Sequence, residues 1–235
     1  MSGFIYGRQI AMFGQPPVVG FGSQAFRVEA IPKVDADREV AARHYSGSVV
    51  WSSSVHLGVF AADDLCGVLQ FGVGMNPASG AKVVEGSDGS DWLELNRMVL
   101  FDNAPPQSAS RAVSCAVKYL RRARPALRWI QSFADERCGK WGGVYQACSW
   151  TYLGSHETTF YLLDGEWFHK SLLGRAEVDG RGWGSGPKAA RLRAGRERAV
   201  PHTFRQFRYF KALTSGTAKR LLLDSYPYPK PSADR

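Results

Sequence analysis

The 235-residue chain is poor in cysteine and has no long apolar run. Its four cysteines, Cys66, Cys115, Cys138 and Cys148, show no CxxC spacing, so neither a zinc ribbon nor a disulfide framework is indicated. They read as reduced core thiols. No stretch approaches the roughly 18 consecutive apolar residues of a membrane span. The first residues, MSGFIYGRQIAMFGQPP, lack the basic start and clean apolar run of a signal peptide. A cytosolic protein without a membrane partner is expected. Acids are scarce in one region only. Up to residue 164 there are 15 bases and 15 acids, and beyond it 15 bases but 6 acids, so the net charge of +9 belongs to the C-terminal third.

The length allows a core without staples, and the hydrophobic share of 44% is ordinary. The most informative stretch runs from Asp91 to Trp150. Trp92 to Phe101 reads as a strand that carries Glu94, Asn96 and Arg97, so one face meets polar partners or a cleft. Pro105 and Pro106 end it. A helix from about Ser108 to Arg122 places Ala112, Cys115, Ala116 and Tyr119 on one face, with Arg121, Arg122 and Arg124 at its negative end. Its open N-terminus, at Gln107, Ser108 and Ser110 with Arg111 beside it, suits an anion such as a coenzyme pyrophosphate.

The chain before this stretch begins irregularly, with a possible strand at Val28 to Val34 interrupted by Pro32. A helix from about Asp35 delivers His44 and Tyr45 to its C-terminal end. Strands at Trp51 to Phe60 and Leu65 to Val73 form a hairpin, and Gly74 to Ser90 is a polar loop. After the arginines, Leu127 to Phe133 reads as a strand leading into Asp135 and Glu136. Acids just beyond a strand's carboxyl end sit where α/β sheets bind ligands, as general base, metal ligand or helix N-cap. A helix at Lys140 to Ala147 holds Tyr145, and a strand at Thr158 to Leu163 closes the sheet. A core over residues 1–164 and a basic extension over 165–235 are expected.

The order of elements resembles the GCN5-related N-acetyltransferase (GNAT) fold, a mixed α/β architecture with a mostly antiparallel central sheet flanked by helices. The resemblance implies that the central strand splays from the next one, that a coenzyme A donor lies along Met98 to Phe101, through Val99, and at Gln107 to Arg111, and that Tyr145 protonates the leaving thiolate. One departure is visible. The family's pyrophosphate loop reads Q/R-x-x-G-x-G/A, whereas Gln107 to Ala112 contains no glycine. Either the backbone approaches the phosphates less closely or coenzyme A is not the ligand.

A more specific resemblance covers roughly residues 25 to 165. RHYSG (43 to 47), ELNRMVL (94 to 100), the ADE turn (134 to 136) and WGGVYQA (141 to 147) resemble the Mom DNA-modification proteins of Mu-like bacteriophages. The resemblance implies conversion of adenine in phage DNA to an N6-carbamoylmethyl derivative that protects it from host restriction, inside the bacterial cytoplasm. It places the site on His44, Tyr45, Arg97, Asp135 and Tyr145, and it implicates iron and an acetyl-coenzyme A-like donor. His44 and Asp135 are ligand types for a non-haem iron; alternatively His44 is a general base oriented by Asp135. Glu94, three residues from Arg97, points to the opposite face of a regular strand, so Arg97 is expected to anchor Asp135 or the donor.

Double-stranded DNA is the expected partner. Lys188, Arg191, Arg193, Arg196 and Arg198 form the densest basic run, and Arg205 and Arg208 alternate with aromatics, a pattern suited to a polyanion; the same residues also suit a solvated face. A target adenine must be flipped from the duplex, and Trp51, Trp141 or Trp150 are candidates to stack on it. A conventional GNAT acting on a protein or small amine is the alternative reading, and a non-catalytic DNA-binding protein ranks last. The sequence specifies no oligomeric state, and a homodimer is compatible with it.

Overall fold

A computed structural model describes residues 1–7, 16–74, 76–174 and 184–230. The sequence from 174 to 186 is rich in glycine and reads as a loop, and most of it lies outside the described residues. The chain divides into two compact units, one of residues 1–133, 142–153 and 209–229, the other of 134–141, 154–208 and 230–235.

The larger unit begins with two strands that the irregular composition concealed, β1 (Gly3–Tyr6) and β2 (Val18–Ser23), followed by β3 (Phe26–Ala30). Helix α1 (Lys33–Arg43) starts two residues earlier than its acidic first turn implied and ends on His44. The hairpin of β4 (Ser53–Ala61) and β5 (Asp64–Gly72), then β6 (Trp92–Leu100), α2 (Ser108–Ala123) and β7 (Trp129–Asp135), follow close to the expected bounds. The loop at 74 to 90 contains a 3-10 turn, Pro77–Lys82. Helix α2 buries Ala112, Val113, Ala116, Val117, Tyr119 and Leu120, an apolar stripe at helical spacing. Beneath the sheet, Trp92 stacks on Trp129 at 4.7 Å and Phe210 lies 5.6 Å from Trp129. Such aromatic pairs contribute about 1 kcal/mol beyond the area they bury.

The helix expected at Lys140 to Ala147 shrinks to α3 (Gly143–Ala147), because Gly139 and Gly142 both take positive φ and break the chain into turns. The expected closing strand grows to thirteen residues, β8 (Thr151–Leu163), and β9 (Glu166–His169), α4 (Pro187–Ala194), β10 (Val200–Ala212) and α5 (Ser215–Ala218) complete the chain. Sheet order is β1-β2-β3-β4-β5-β6-β7-β10-β8-β9. The expected division at residue 164 is therefore not where the units part. β10 takes the place between β7 and β8, so residues 209–229 belong to the larger unit while 154–164 belong to the smaller. The smaller unit has its own core of Leu163, Phe168, Leu192 and Ala199. No helix among the described residues is long and apolar enough to cross a membrane.

Two irregularities shape the middle of the sheet. β6 and β7 pair in parallel, and their register covers Trp92 to Glu94 against Trp129 to Gln131 before it ends, although both strands continue. Between β5 and β6 the register slips, Gln70 facing Arg97 and Phe71 facing Leu95, which leaves Asn96 as an extra residue. That bulge breaks the two-residue alternation between Glu94 and Arg97.

Candidate active site

Arg97 stands just after the bulge and is largely buried. Its Nε donates to the Ser48 carbonyl at 3.0 Å, Nη1 to the Asn96 carbonyl at 2.7 Å and Nη2 to Ser48 Oγ at 3.4 Å. Ser48 Oγ lies 3.3 Å from Ser46 Oγ, which lies 2.8 Å from His44 Nδ1. One run of hydrogen bonds therefore ties the arginine of β6 to the histidine that ends α1. Burial pushes the Arg97 guanidinium down, and Tyr45 and Glu94 raise it again. The expectation that Glu94 faces away is thus corrected, since the bulge brings its charge into play. Arg97 also does not anchor Asp135. Its donors hold main-chain carbonyls and a serine, and no carboxylate pairs with it among the described residues.

The Ser46 backbone N–H donates to His44 Nδ1 at 3.2 Å. Nδ1 is then an acceptor, and the neutral imidazole carries its proton on Nε2. Tyr45 lies against it with ring centroids 4.1 Å apart and is 53% exposed, as is Trp51 at 67%, whereas Trp150 is fully buried. Trp141 packs 5.5 Å from Phe207 in the smaller unit.

Tyr145, on α3, is buried. Its hydroxyl is 2.7 Å from Ser132 Oγ, which itself donates to the Leu95 carbonyl at 3.0 Å, so the tyrosine is the donor of the pair. This contact lies just past the point where β6 and β7 stop pairing. Burial pushes the phenol up to about 12, which keeps it protonated at neutral pH. The helix is seated by Gln146, whose Nε2 donates to Tyr209 Oη at 3.0 Å and to the Pro229 carbonyl at 3.3 Å.

Asp135 belongs to the smaller unit. Oδ1 accepts from the Arg137 backbone N–H at 3.0 Å and Oδ2 from Arg137 Nη2 at 3.2 Å, the N-cap role on a 3-10 turn. Its carboxyl is nevertheless pushed up, because burial outweighs Arg137. A raised carboxyl favours the fold below the ordinary carboxylate range and loses that contribution as pH rises through the folded value. Asp135→Asn removes the buried Arg137 pairing as well as the buried charge, so what the raised carboxyl dictates is the pH dependence: the stability of the variant relative to the parent is expected to fall on acidification. Thermal melts from neutral to acidic pH check this, and a difference that stays constant or moves the other way would contradict it.

The coenzyme residues expected from the sequence do not converge as side chains. Val99 packs with Ala36, Val40 and Val68 beneath α1, and Arg111 lies over the Phe26 ring at 3.9 Å. Gln107 has φ +63° and makes no cap, while Ser108 and Ser110 turn their hydroxyls back to the Pro105 and Gln107 carbonyls. Four of the seven expected DNA-binding bases pair with acids within the smaller unit. Lys188 and Arg191 pair with Glu166, Arg198 with Asp164 and Arg205 with Glu136. Arg193 donates to the Gly174 carbonyl and Arg196 covers Tyr161. Burial and the Arg208 charge push His156 down.

The residues do not fit the iron expected on His44 and Asp135. Among the described residues no three His, Cys, Asp or Glu side chains gather as a metal site. His44 meets a backbone N–H at Nδ1, and both Asp135 oxygens accept from Arg137. Ser46 lies inside the RHYSG motif without having been singled out, and Ser48, Ser132 and Arg137 stand in no recognisable spacing.

These features define a class: an α/β protein with a mixed, mostly antiparallel sheet, parted at its parallel centre beside a buried tyrosine and bulged at a buried arginine. The chain belongs to the Mom protein family, whose model matches residues 25–230. It is 47% identical over 216 residues to "Methylcarbamoylase mom" of Escherichia phage Mu, covering 91% of this chain and 87% of that protein. Similar solved structures include ribosomal-protein-S5-alanine acetyltransferase from Vibrio fischeri (10% identity, 84% of this chain and 98% of that one, TM-score 0.47) and spermidine N-acetyltransferase from Vibrio cholerae with CoA and spermine (10% identity, 81% and 97%, TM-score 0.43).

Proposed function

We propose that this chain is a phage DNA-modifying transferase that converts adenine in double-stranded DNA to its N6-carbamoylmethyl derivative, in the cytoplasm of the bacterial host, protecting the DNA from restriction. The observation that carries the reading is the 47% identity to a methylcarbamoylase across 91% of the chain.

The chemistry asks for a base, an acid and an orienting group. The exocyclic amine of adenine is a weak nucleophile because its lone pair is delocalised into the ring. Asp135, raised by burial, is a stronger base than an ordinary carboxylate and takes the N6 proton as the new N–CH2 bond forms. Tyr145, still protonated at neutral pH, supplies a proton to the departing group of the donor. His44, protonated on Nε2, donates a hydrogen bond to the carboxamide or the base, and Arg97 holds the 46 to 48 loop that fixes it. The donor is a small molecule with an electrophilic CH2 carbon. Simple acetyl transfer joins nitrogen to a carbonyl carbon and does not yield this product, and the methyl carbon of acetyl-coenzyme A carries no leaving group, so the donor is one whose CH2 carbon bears a group that departs as the N–C bond forms. Iron enters no step. Mass analysis of nucleosides from DNA of bacteria expressing the chain tests the reading, and a modified deoxyadenosine is the expected result.

A further inference from the structure

Four of the seven expected DNA-binding bases in the smaller unit pair with three carboxylates, which raises the question of further phosphate contacts. The larger unit holds an open cavity of about 520 Å³ between the end of α2, the start of β8 and the end of β10. Its lining includes the cations Arg121 and Lys211, the hydroxyl residues Ser149, Thr151, Thr214 and Ser215 and, among the described residues, no Asp or Glu.

The two cations are positioned without being neutralised. Lys211 Nζ donates to the Cys148 and Ser149 carbonyls at 3.0 and 3.1 Å, and Arg121 Nη2 donates to the Ala212 carbonyl at 3.3 Å. Neither forms an ion pair with a carboxylate among the described residues. Carbonyl partners fix the direction of a cation while leaving its charge, and spare N–H groups, for a ligand. Burial and the neighbouring Arg121 both push the Lys211 ammonium down. An arriving anion would relieve that repulsion. The negative end of α2 works against an anion here, but its half charge is exceeded by Arg121, Arg122 and Arg124.

We infer that this cavity is a backbone-phosphate site for the DNA substrate, with Arg121 and Lys211 as the charged contacts and the hydroxyls as neutral donors. The inference rests on the DNA-modification reading. Contacts of this kind position a duplex without reading its sequence, and each neutralised phosphate adds about 0.9 to the slope of log affinity against log salt.

Binding of a fluorescent 30-base-pair duplex by the full chain, followed by anisotropy across a salt series, is the test. Arg121→Gln, Lys211→Gln and Lys211→Arg are compared with the parent, each checked by circular dichroism, because Lys211 also ties down the turn after α3. Each glutamine variant is expected to bind on the order of tenfold more weakly at low salt, with a slope shallower by about 0.9, while Lys211→Arg keeps the parent slope. Arg121→Gln alone decides the matter if Lys211→Gln unfolds. Parent binding with an unchanged slope in folded Arg121→Gln overturns the cavity assignment and leaves the DNA reading intact. Absence of parent binding overturns both. Competition by inorganic phosphate or a nucleoside 3′-phosphate at concentrations far below those needed for general salt screening would assign the cavity to a small phosphate ligand and overturn the DNA assignment.

Discussion

Arg97→Ala is expected to abolish adenine modification while leaving a folded protein. The guanidinium makes three hydrogen bonds that hold Ser48 and the bulge, and through Ser48 and Ser46 it reaches His44. Removing it leaves buried carbonyls unsatisfied, at a cost of about 1 to 3 kcal/mol, well short of unfolding a domain of ordinary stability. The effect on chemistry is larger, since a misplacement of about 1 Å of a catalytic group costs roughly a hundredfold. Lys at this position keeps the charge but loses the planar fork, so Arg97→Lys recovers little. Nucleoside analysis of DNA from expressing cells, paired with a thermal melt, checks both halves; a folded Arg97→Ala that keeps most of its activity sinks the assignment.

The second large effect is expected from Gly142→Ala, as a loss of stability. Gly142 has φ +86° and precedes α3; a Cβ built there falls 2.1 Å from Tyr209 Cε2 and 2.5 Å from Cζ. The positive φ alone costs an alanine about 1 to 2 kcal/mol, and overpacking a buried ring adds about 1 to 3. Tyr209 lies 5.1 Å from Tyr145, centroid to centroid, and accepts from Gln146, so the strain falls on the helix that carries the proposed acid. Denaturant unfolding should show a fall of about 2 to 5 kcal/mol, and modification should fall with it. Gly143→Ala is the control, because a Cβ there meets nothing within 4 Å. Equal stability of the two variants would contradict the argument.

Most of the fold was legible because its signals were local. Apolar runs mark β4, β5 and β6, helical spacing marks α2, and acids near its start mark the helix before His44, which nevertheless begins at Lys33 without a side-chain cap. The missed parts were those set by tertiary partners. β2 reads as irregular because of Gly20 and Gly22, yet a Cβ at either would meet β3 backbone at 2.4 Å, so close strand packing is what those glycines serve. β10 shows in the sequence only as bases alternating with aromatics, because its place as a strand between β7 and β8 is non-local. The candidate site residues His44, Tyr45, Arg97, Asp135 and Tyr145 rest on a family resemblance, and their connections do not. The bulge at Asn96 depends on pairing with β5, and it is what overturned the alternation argument for Glu94. The excess of bases beyond residue 164 is legible as a count, whereas their partners are not, because acids such as Glu136 that meet them, here Arg205, are distant in sequence.

The central claim is that this chain attaches a carbamoylmethyl group to N6 of adenine in DNA. Its most direct test is mass analysis of enzymatically digested DNA from bacteria expressing the intact chain, beside cells expressing Tyr145→Phe. The expected result is a deoxyadenosine derivative bearing a CH2-carboxamide on N6 in the first sample and a strongly reduced amount in the second. Unmodified deoxyadenosine in cells that accumulate folded protein, or an N6-acetyl product in its place, would contradict the account.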